Sequence, residues 1–418
     1  MTSLGLFAIV ITLSTVFGII NHRLLRLPLT VGVLVISLLV SGVLVLADVF
    51  LPWRGAHMAH QLLAQIDMPT SVMQGALAFL LFAGALGVDM HYLLLRKFSV
   101  IALAILGTLL AVILFAGGIW GVFHLVGLSV SPAWCVVLGA ILAPTDPISV
   151  VGMLRRLGLP GQVQALFAGE SLLNDGVGVV IFTVALGVAH EDHPASVLHL
   201  AEAFALEAGG GVLLGLVCGW LAVRAIRLVK DPHLELFISL ALCSGVYSLA
   251  GAWGLSGPIA VVMAGFMVAA PRTQAMISPT GRKDMRLFWG LVDEILNIML
   301  FVLIGFQVLN VAFNVPLLMA MALAVPLSIL ARGLSVLLAM LPLYVSQQDR
   351  MGVLAVLTWG GLRGGISVSL ALSLPEGPMR DILMGVCYAV VVFTILVQGL
   401  SIGPVVRKFH SSEQESSA

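Results

Sequence analysis

Polar and acidic side chains interrupt an apolar stretch of the sequence at residues 163–189. They are Glu170, Ser171, Asn174 and Asp175. A charged side chain at the centre of a lipid-length helix costs about 2.5 to more than 10 kcal/mol, so such residues usually mark ion paths or proton relays. Carboxylate, hydroxyl and carbonyl oxygens are also the ligands that hard cations prefer. These side chains are therefore candidates to bind a proton or a cation inside a membrane.

Helical spacing sorts the four side chains into two neighbouring stripes. Ser171 and Asp175 are four residues apart on one face, and Glu170 and Asn174 are four apart on the next. We predict a Na⁺ site made by Asp175, Ser171, Glu170 and an unwound backbone carbonyl near Thr145. The alternative for Ser171 and Asn174 is ordinary hydrogen bonding between helices. Hydrogen bonding between helices alone does not explain Asp175, because a charge is costly to bury.

The elements that hold these side chains are predicted to be membrane-spanning helices. The chain has 418 residues, of which 60% are hydrophobic and 10% charged, whereas soluble domains usually carry about 25% charge. Apolar runs of about 20 residues fit helices and not the alternating strands of an outer-membrane barrel. The net charge of zero gives no sign of nucleic-acid binding. The sequence therefore predicts an all-α polytopic membrane protein in a lipid bilayer.

Hydrophobicity predicts 13 transmembrane spans. Their approximate bounds are 3–21, 29–47, 70–90, 98–124, 132–154, 162–189, 199–226, 233–251, 256–271, 287–310, 315–341, 351–373 and 380–404. Residues 1–408 then form one membrane unit, followed by a short cytoplasmic tail at 409–418. Sixteen of the 20 basic residues fall in loops after odd-numbered spans or in the C-terminal segment. Because basic residues collect in cytoplasmic loops, the N-terminus is predicted outside and the C-terminus in the cytoplasm.

Two spans contain helix-breaking motifs. The fifth carries APTDP at 143–147 and the twelfth carries GGLRGG at 360–365, and proline and glycine runs both weaken a helix. Broken spans at matching positions of two halves are typical of inverted-repeat transporters. We predict repeats at residues 1–189 (spans 1–6) and 233–404 (spans 8–13), joined by span 7 at 199–226. The broken spans are expected to cross near mid-membrane.

Charge counting within the spans leaves one acid without a basic partner. The buried acids are Asp146, Glu170 and Asp175, and the buried bases are Arg332 and Arg363. A buried acid without a basic partner is unfavourable unless it holds a proton or a cation. We assign Asp175 as this carrier and Glu170 as the partner of Arg332. Asp146 is expected to face the broken-helix ends and Arg363.

These motifs resemble those of the NhaP-type sodium/proton antiporters, which are related to the animal and plant sodium/proton exchangers. The matching segments are APTDP at 143–147, GESLLNDG at 169–176, FVLIG at 301–305, Arg332 and GLRG at 361–364. They occur in order within residues 1–408. The resemblance implies a 13-span inverted-repeat fold, a homodimer, and a core domain that moves against a dimerisation domain.

The resemblance also implies roles for individual residues. Asp175 is expected to exchange Na⁺ or Li⁺ for H⁺, without a cofactor. Ser171, Glu170 and the Thr145 backbone are expected to assist, and the match at Arg332 implies a partner for the buried glutamate. Asparagine precedes the aspartate here, where an electrogenic branch has a second aspartate. This implies electroneutral exchange of one cation for one proton in the cell (inner) membrane, with a role in pH homeostasis.

Other classes of membrane protein also use buried polar residues, but each needs additional sequence features. Exchange of K⁺ or Ca²⁺ for H⁺ would use the same fold, because ion choice depends on ligand geometry. A K⁺ channel or uniporter would need a filter or a continuous polar path, and no TVGYG-like segment is present. An intramembrane protease would need Asp146 and Asp175 in GxGD-type motifs, which surround neither. We therefore predict a transporter and not an enzyme.

Two further groups of residues each admit two interpretations. Asp293, Glu294 and Asn297 are predicted to begin the tenth span, where they either line the ion path or stay at the membrane interface. The glycine-rich stretch at 209–219 predicts close packing of helices or, alternatively, a dimer interface.

Overall fold

The computed structural model shows a helical protein. It describes residues 3–50, 72–146, 150–152, 154, 158–190, 197–310, 314–341 and 347–415. Within these ranges there is no β-strand, nine helices are long and apolar enough to cross a membrane, and three apolar helices are shorter. The all-α membrane architecture is confirmed, whereas the count of 13 spans and the inverted relation of the repeats stay predictions. Pro147 of the first helix-breaking motif lies outside the described residues.

The helices follow the predicted spans in order. The first are α1 Ser3–Ile20, α2 Leu29–Phe50, α3 Val72–Gly87, α4 Lys97–Leu125, α5 Pro132–Ile141, α6 Gly161–His190 and α7 Val197–Leu228. The others are α8 Pro232–Ala252, α9 Gly257–Ala269, α10 Pro279–Phe306, α11 Val315–Met340, α12 Gln347–Trp359, α13 Gly365–Leu372, α14 Pro378–Phe393 and α15 Gly399–Glu415. Short π-helical turns lie after α1, within α4 and between α14 and α15, at Asn21–Leu25, Leu103–Gly107 and Thr394–Gln398.

Helix α10 begins earlier than residue 287, where the sequence places the tenth span. Ser278 caps it by accepting a hydrogen bond from the Gly281 N–H, and Pro279 takes the first helical position. The basic residues that follow suggest a loop, but they form the first turns of this helix. Asp293, Glu294 and Asn297 therefore lie well inside α10, and their predicted place at its start is wrong.

The helices pack as two sets that meet along α6 and α10. The first set contains α1, α2, α3, α7, α8, α9 and α10, and the second contains α4, α5, α6 and α11 to α15. Each set contains most of one large apolar cluster, and residues of α2 and α10 also join the cluster of the second set. Helix α6 belongs to the second set and also contacts α3, α7 and α9 of the first. Residues on α6 are therefore placed at the boundary between the sets.

Glycines in α7 allow this helix to pack closely on α9. A Cβ added at Gly211 would lie 2.7 Å from the carbonyl oxygen of Ser256, and one at Gly215 would overlap the carbonyl of Ala260. The glycine-rich stretch thus packs within the chain, as the first of its two interpretations expects.

The two broken segments meet in space, as the sequence predicts. Helix α5 ends at Ile141, and residues 360–364 separate α12 from α13. The backbone N–H of Asp146 donates to the carbonyl of Leu362 at 2.7 Å. A Cβ at Gly364 would come within 2.9 Å of the Asp146 Cβ. Glycine at this position therefore permits the close approach of the two segments.

Candidate functional site

A small cavity lies at the boundary between the two helix sets, beside the broken segments. Its volume is about 40 Å³, and its wall is formed by Leu80, Leu81, Gly84, Pro144, Thr145, Asp146, Leu172, Asp175, Asn297, Leu300, Gly364, Gly365 and Ile366. A cavity needs about 10–15 Å³ of such volume to hold one water molecule. This cavity is therefore large enough for a small ion or a few waters.

Asp175 is the most deeply buried acid in the cavity wall. It is 1% exposed, and its Oδ1 atom has no hydrogen-bond partner among the described residues. An ionised carboxylate in such surroundings is strongly unfavourable unless another group compensates its charge. Binding of a proton or a cation provides that compensation. Asp175 thus has the property that the predicted carrier requires.

Glu170, by contrast, is fully compensated by Arg332. The Nη1 and Nη2 atoms of Arg332 donate to the two carboxylate oxygens at 2.9 and 3.0 Å, and its Nε donates to the Leu357 carbonyl at 3.3 Å. Both charged side chains are buried. Two parallel bonds of this kind make a strong and directional ion pair. The predicted pairing of these two residues is confirmed.

Asn174 links that ion pair to the first broken segment. Its Nδ2 donates to Glu170 Oε1 at 2.9 Å and to Thr145 Oγ1 at 2.8 Å, and its Oδ1 accepts from the Thr145 N–H at 3.4 Å. Ser171 Oγ donates to the Thr145 carbonyl at 2.5 Å and lies 2.9 Å from Thr145 Oγ1. Helix α6 therefore holds the Thr145 backbone through two side chains, and Ser171 and Glu170 lie behind the cavity wall.

Arg363 binds the non-helical segment that follows α5. Its Nη1 donates to the carbonyls of Ala143 and Pro144 at 2.7 and 3.2 Å, and its backbone N–H donates to Thr394 Oγ1 at 3.1 Å. Both carbonyls belong to the segment after Ile141, where α5 ends, and a buried carbonyl needs a hydrogen-bond donor. Arg363 provides that donor and places a positive charge beyond the C-terminus of α5, where the helix dipole favours it.

Comparison with known proteins decides what kind of protein contains this site. The family model described as "Sodium/hydrogen exchanger, transmembrane" matches residues 10–408. The chain belongs to the sodium/hydrogen exchanger family. Members of this family are transporters.

Individual relatives support the assignment of this chain to the sodium/hydrogen exchanger family. The chain is 38% identical to the "Na(+)/H(+) antiporter NhaP" of Pseudomonas aeruginosa, over 98% of both chains. It is 32% identical to the "Na(+)/H(+) antiporter NhaH" of Halobacillus dabanensis, over 79% of this chain and 81% of the relative. Its fold matches the sodium proton antiporter MjNhaP1 of Methanocaldococcus jannaschii with a TM-score of 0.74 and 18% identity, covering 97% of this chain and 98% of that one. The fold of the exchanger-family chain is thus shared with a sodium proton antiporter.

Asn297 is one of the residues for which the sequence leaves two interpretations, the ion path or the membrane interface, and the structure places it in the wall of the cavity. Asn297 is 7% exposed and lines the cavity together with Asp175. Its Nδ2 donates to the carbonyl and carboxylate oxygens of Asp293 at 2.9 and 3.3 Å. The available signal was the spacing of four between Asp293 and Asn297 in an apolar helix. Glu294, between them, is exposed.

Proposed function

We propose that this chain exchanges Na⁺ or Li⁺ for H⁺ across the cell membrane, with Asp175 as the shared carrier. The observation that carries the proposal is the contrast between two buried acids. Arg332 compensates Glu170, whereas Asp175 Oδ1 has no hydrogen-bond partner among the described residues and lies at a cavity large enough for an ion. Relatives named as Na⁺/H⁺ antiporters support this choice of ions.

In the proposed cation-bound state, Asp175 supplies the negative ligand. Thr145 contributes its backbone carbonyl, and the Ser171 hydroxyl, which bonds to that carbonyl, supplies a neutral oxygen after a small adjustment. Glu170 acts mainly by holding Arg332 and Asn174 in place. Oxygen ligands of mixed charge suit a hard cation such as Na⁺.

In the proton-bound state, a proton on Asp175 replaces the cation. The two states carry the same total charge, so one Na⁺ crosses for each H⁺ and the exchange is electroneutral. Because both ions need the same carboxylate, they compete for it. With an inward proton gradient, Na⁺ is expected to leave the cell, which contributes to pH homeostasis.

The two sets of helices provide the parts for alternating access. The cavity lies at their boundary, and α6 contacts helices of both sets. We propose that the second set moves relative to the first and exposes Asp175 to one side of the membrane at a time. An external N-terminus, a cytoplasmic C-terminus and a homodimer belong to the same proposal.

Purified protein in liposomes with an imposed pH gradient tests the function. A pH-sensitive dye reports the gradient while Na⁺, Li⁺, K⁺ or Ca²⁺ is added with the membrane voltage clamped at zero. Na⁺ and Li⁺ are expected to collapse the gradient in the wild type and to have no effect in Asp175→Asn. Glu202→Gln, which neutralises an exposed acid of α7, is the matched control and keeps full exchange.

The same experiment has outcomes that contradict the proposal. Collapse of the gradient by K⁺ or Ca²⁺ alone would show that the transported cation is not Na⁺, and it would leave the assignment of the fold unaffected. Undiminished Na⁺ exchange in Asp175→Asn would show that Asp175 is not the carrier. Asp146, which lines the same cavity, would then be the next acid to test.

A further inference from the structure

The turn between α1 and α2 holds its backbone in an unusual conformation. Arg26 has a φ angle of 54°, and it is the non-glycine residue with positive φ in the part of the chain that the structure describes. Buried Asn21 maintains this turn: its side chain exchanges hydrogen bonds with the Leu27 backbone at 3.0 and 3.3 Å, and its carbonyl accepts from the Arg26 N–H at 2.7 Å. Strained residues persist where surrounding bonds determine them and often occur at ligand sites.

A large open recess lies beside this turn and continues along the helices. The recess has a volume of about 760 Å³ and is lined by residues between Asn21 and Leu29. It shares His22, Arg23 and Leu29 with a groove of about 580 Å³ between α1 and α10. The groove wall is mainly apolar, with side chains such as Ile11 and Ile298. Together, the recess provides basic side chains and the groove that continues from it provides an apolar surface.

The polar groups around these spaces have few partners of their own. His22, Arg23 and Arg26 are exposed and form no ion pair with any residue that the structure describes. An occupant that matches this surface has an anionic head and an apolar tail.

We propose that the groove binds an anionic phospholipid. The phosphate lies against Arg23 and Arg26 at the turn, and an acyl chain lies between α1 and α10. Basic pockets between transmembrane helices on the cytoplasmic side are suited to anionic lipid head groups, and the basic residues of this chain concentrate on the membrane face that contains this turn. Charge complementarity favours the lipid over a second copy of the chain, whose own turn carries the same positive charge.

Lipid binding to purified, delipidated protein tests the head-group contact. Native mass spectrometry would count bound lipids during titration with phosphatidylglycerol or phosphatidylcholine. Each basic residue near an anionic lipid contributes about a fivefold preference, so the wild type is expected to prefer phosphatidylglycerol by about 30-fold. Arg23→Gln/Arg26→Gln should lose this preference. Arg96→Gln/Lys97→Gln removes the same charge from the same membrane face, away from the groove, and should keep it.

A second variant tests the position of the acyl chain. A Cβ at Gly18 would meet only Leu29 Cδ1, at 3.7 Å, and Gly18 lines the groove. Gly18→Phe is therefore expected to fill the groove and reduce binding of phosphatidylglycerol while both arginines remain. Matching thermal unfolding midpoints would show that all variants fold.

Three results would overturn the proposal. The first is a wild type without preference for phosphatidylglycerol, and the second is an equal loss in the Arg96→Gln/Lys97→Gln control. The third is a dimer that binds no lipid and dissociates in Gly18→Phe, because a second copy of the chain would then occupy the groove.

Discussion

The buried charged residues of the site differ in how their charges are compensated. Glu170 has a bidentate arginine, and Arg363 has two carbonyls of the segment that follows α5. Asp175 Oδ1 has no hydrogen-bond partner in the described ranges. These differences separate groups that maintain the structure from the group that we propose to exchange ions.

The Glu170–Arg332 pair is expected to be important for stability. Glu170→Gln leaves a buried guanidinium without its counter-charge, which should lower the free energy of unfolding by about 3–5 kcal/mol. Glu170→Gln/Arg332→Gln should recover part of this loss, because neither charge then remains. Thermal unfolding of the purified protein in detergent measures the effect.

A surface pair provides the control for this prediction. Glu376 lies 3.7 Å from Arg380, and its side chain is 96% exposed, so Glu376→Gln should leave the unfolding temperature unchanged. Equal losses in Glu170→Gln and Glu376→Gln would contradict the importance of the buried pair.

Asn297 is expected to affect ion binding from the opposite wall of the cavity. Asn297→Ala removes an amide that lines the same cavity as Asp175, so the apparent KM for Na⁺ should rise severalfold. Leu300→Ala removes only apolar atoms from that wall and should change this KM less. Measuring exchange rates against Na⁺ concentration in liposomes distinguishes the two variants, and a KM shift confined to Leu300→Ala would contradict the prediction.

Some contacts of the site follow from residue types and spacing, and others do not. The period of a helix groups Ser171 with Asp175, and charge counting pairs Glu170 with Arg332 although 162 residues separate them. Asn297 could not be placed in this way, because its position depends on where α10 begins and which face it turns to the cavity. The partners of Arg363 similarly depend on the path of a non-helical segment.

Among the helices, α6 has the most demanding position because it must pack against both sets. A Cβ at Gly84 of α3 would lie 2.7 Å from Leu172 Cδ2, and one at Gly176 of α6 would lie 2.6 Å from Ile259 Cγ1. Small residues at these two points bring α6 close to the first set. If the sets move relative to each other, these contacts lie on the sliding surface.

Gly176→Ala is therefore expected to slow transport. The added methyl group requires Ile259 to shift, so the maximal exchange rate should fall severalfold while the apparent KM for Na⁺ stays nearly constant. Gly187→Ala, on the same helix, meets no atom within 4 Å and should transport normally. Liposome exchange assays measure both quantities, and an unchanged rate in Gly176→Ala would argue against motion at this contact.

The sequence predicts helix order better than helix ends. Proline and glycine locate both breaks, because their backbone effects are local. The predicted start of α10 is wrong because a capping serine followed by proline begins the helix at Pro279, and the basic residues after it do not prevent helix formation. Which helices form each set depends on packing between distant segments, which local patterns do not specify.

In the proposed mechanism, one carboxylate at the boundary between the two helix sets, Asp175, links the transport of two ions through the whole molecule. If Na⁺ and H⁺ compete for it, lowering the pH on the side from which Na⁺ binds should raise the apparent KM for Na⁺ and leave the maximal rate unchanged. The sign follows because a protonated Asp175 cannot bind the cation. Exchange rates at several pH values on the side from which Na⁺ binds, with the pH on the other side held constant, check this. A KM that is independent of pH would indicate separate sites for the two ions.

The contact between Arg363 and the segment that follows α5 also has a consequence for the order of events during synthesis. The arginine follows Ala143 by 220 residues, so at about 5–20 residues per second the ribosome produces it roughly 10–45 s later. Until then, the carbonyls of Ala143 and Pro144 lack this partner. The nascent first half therefore cannot complete the site, and an unfinished chain is not expected to conduct ions.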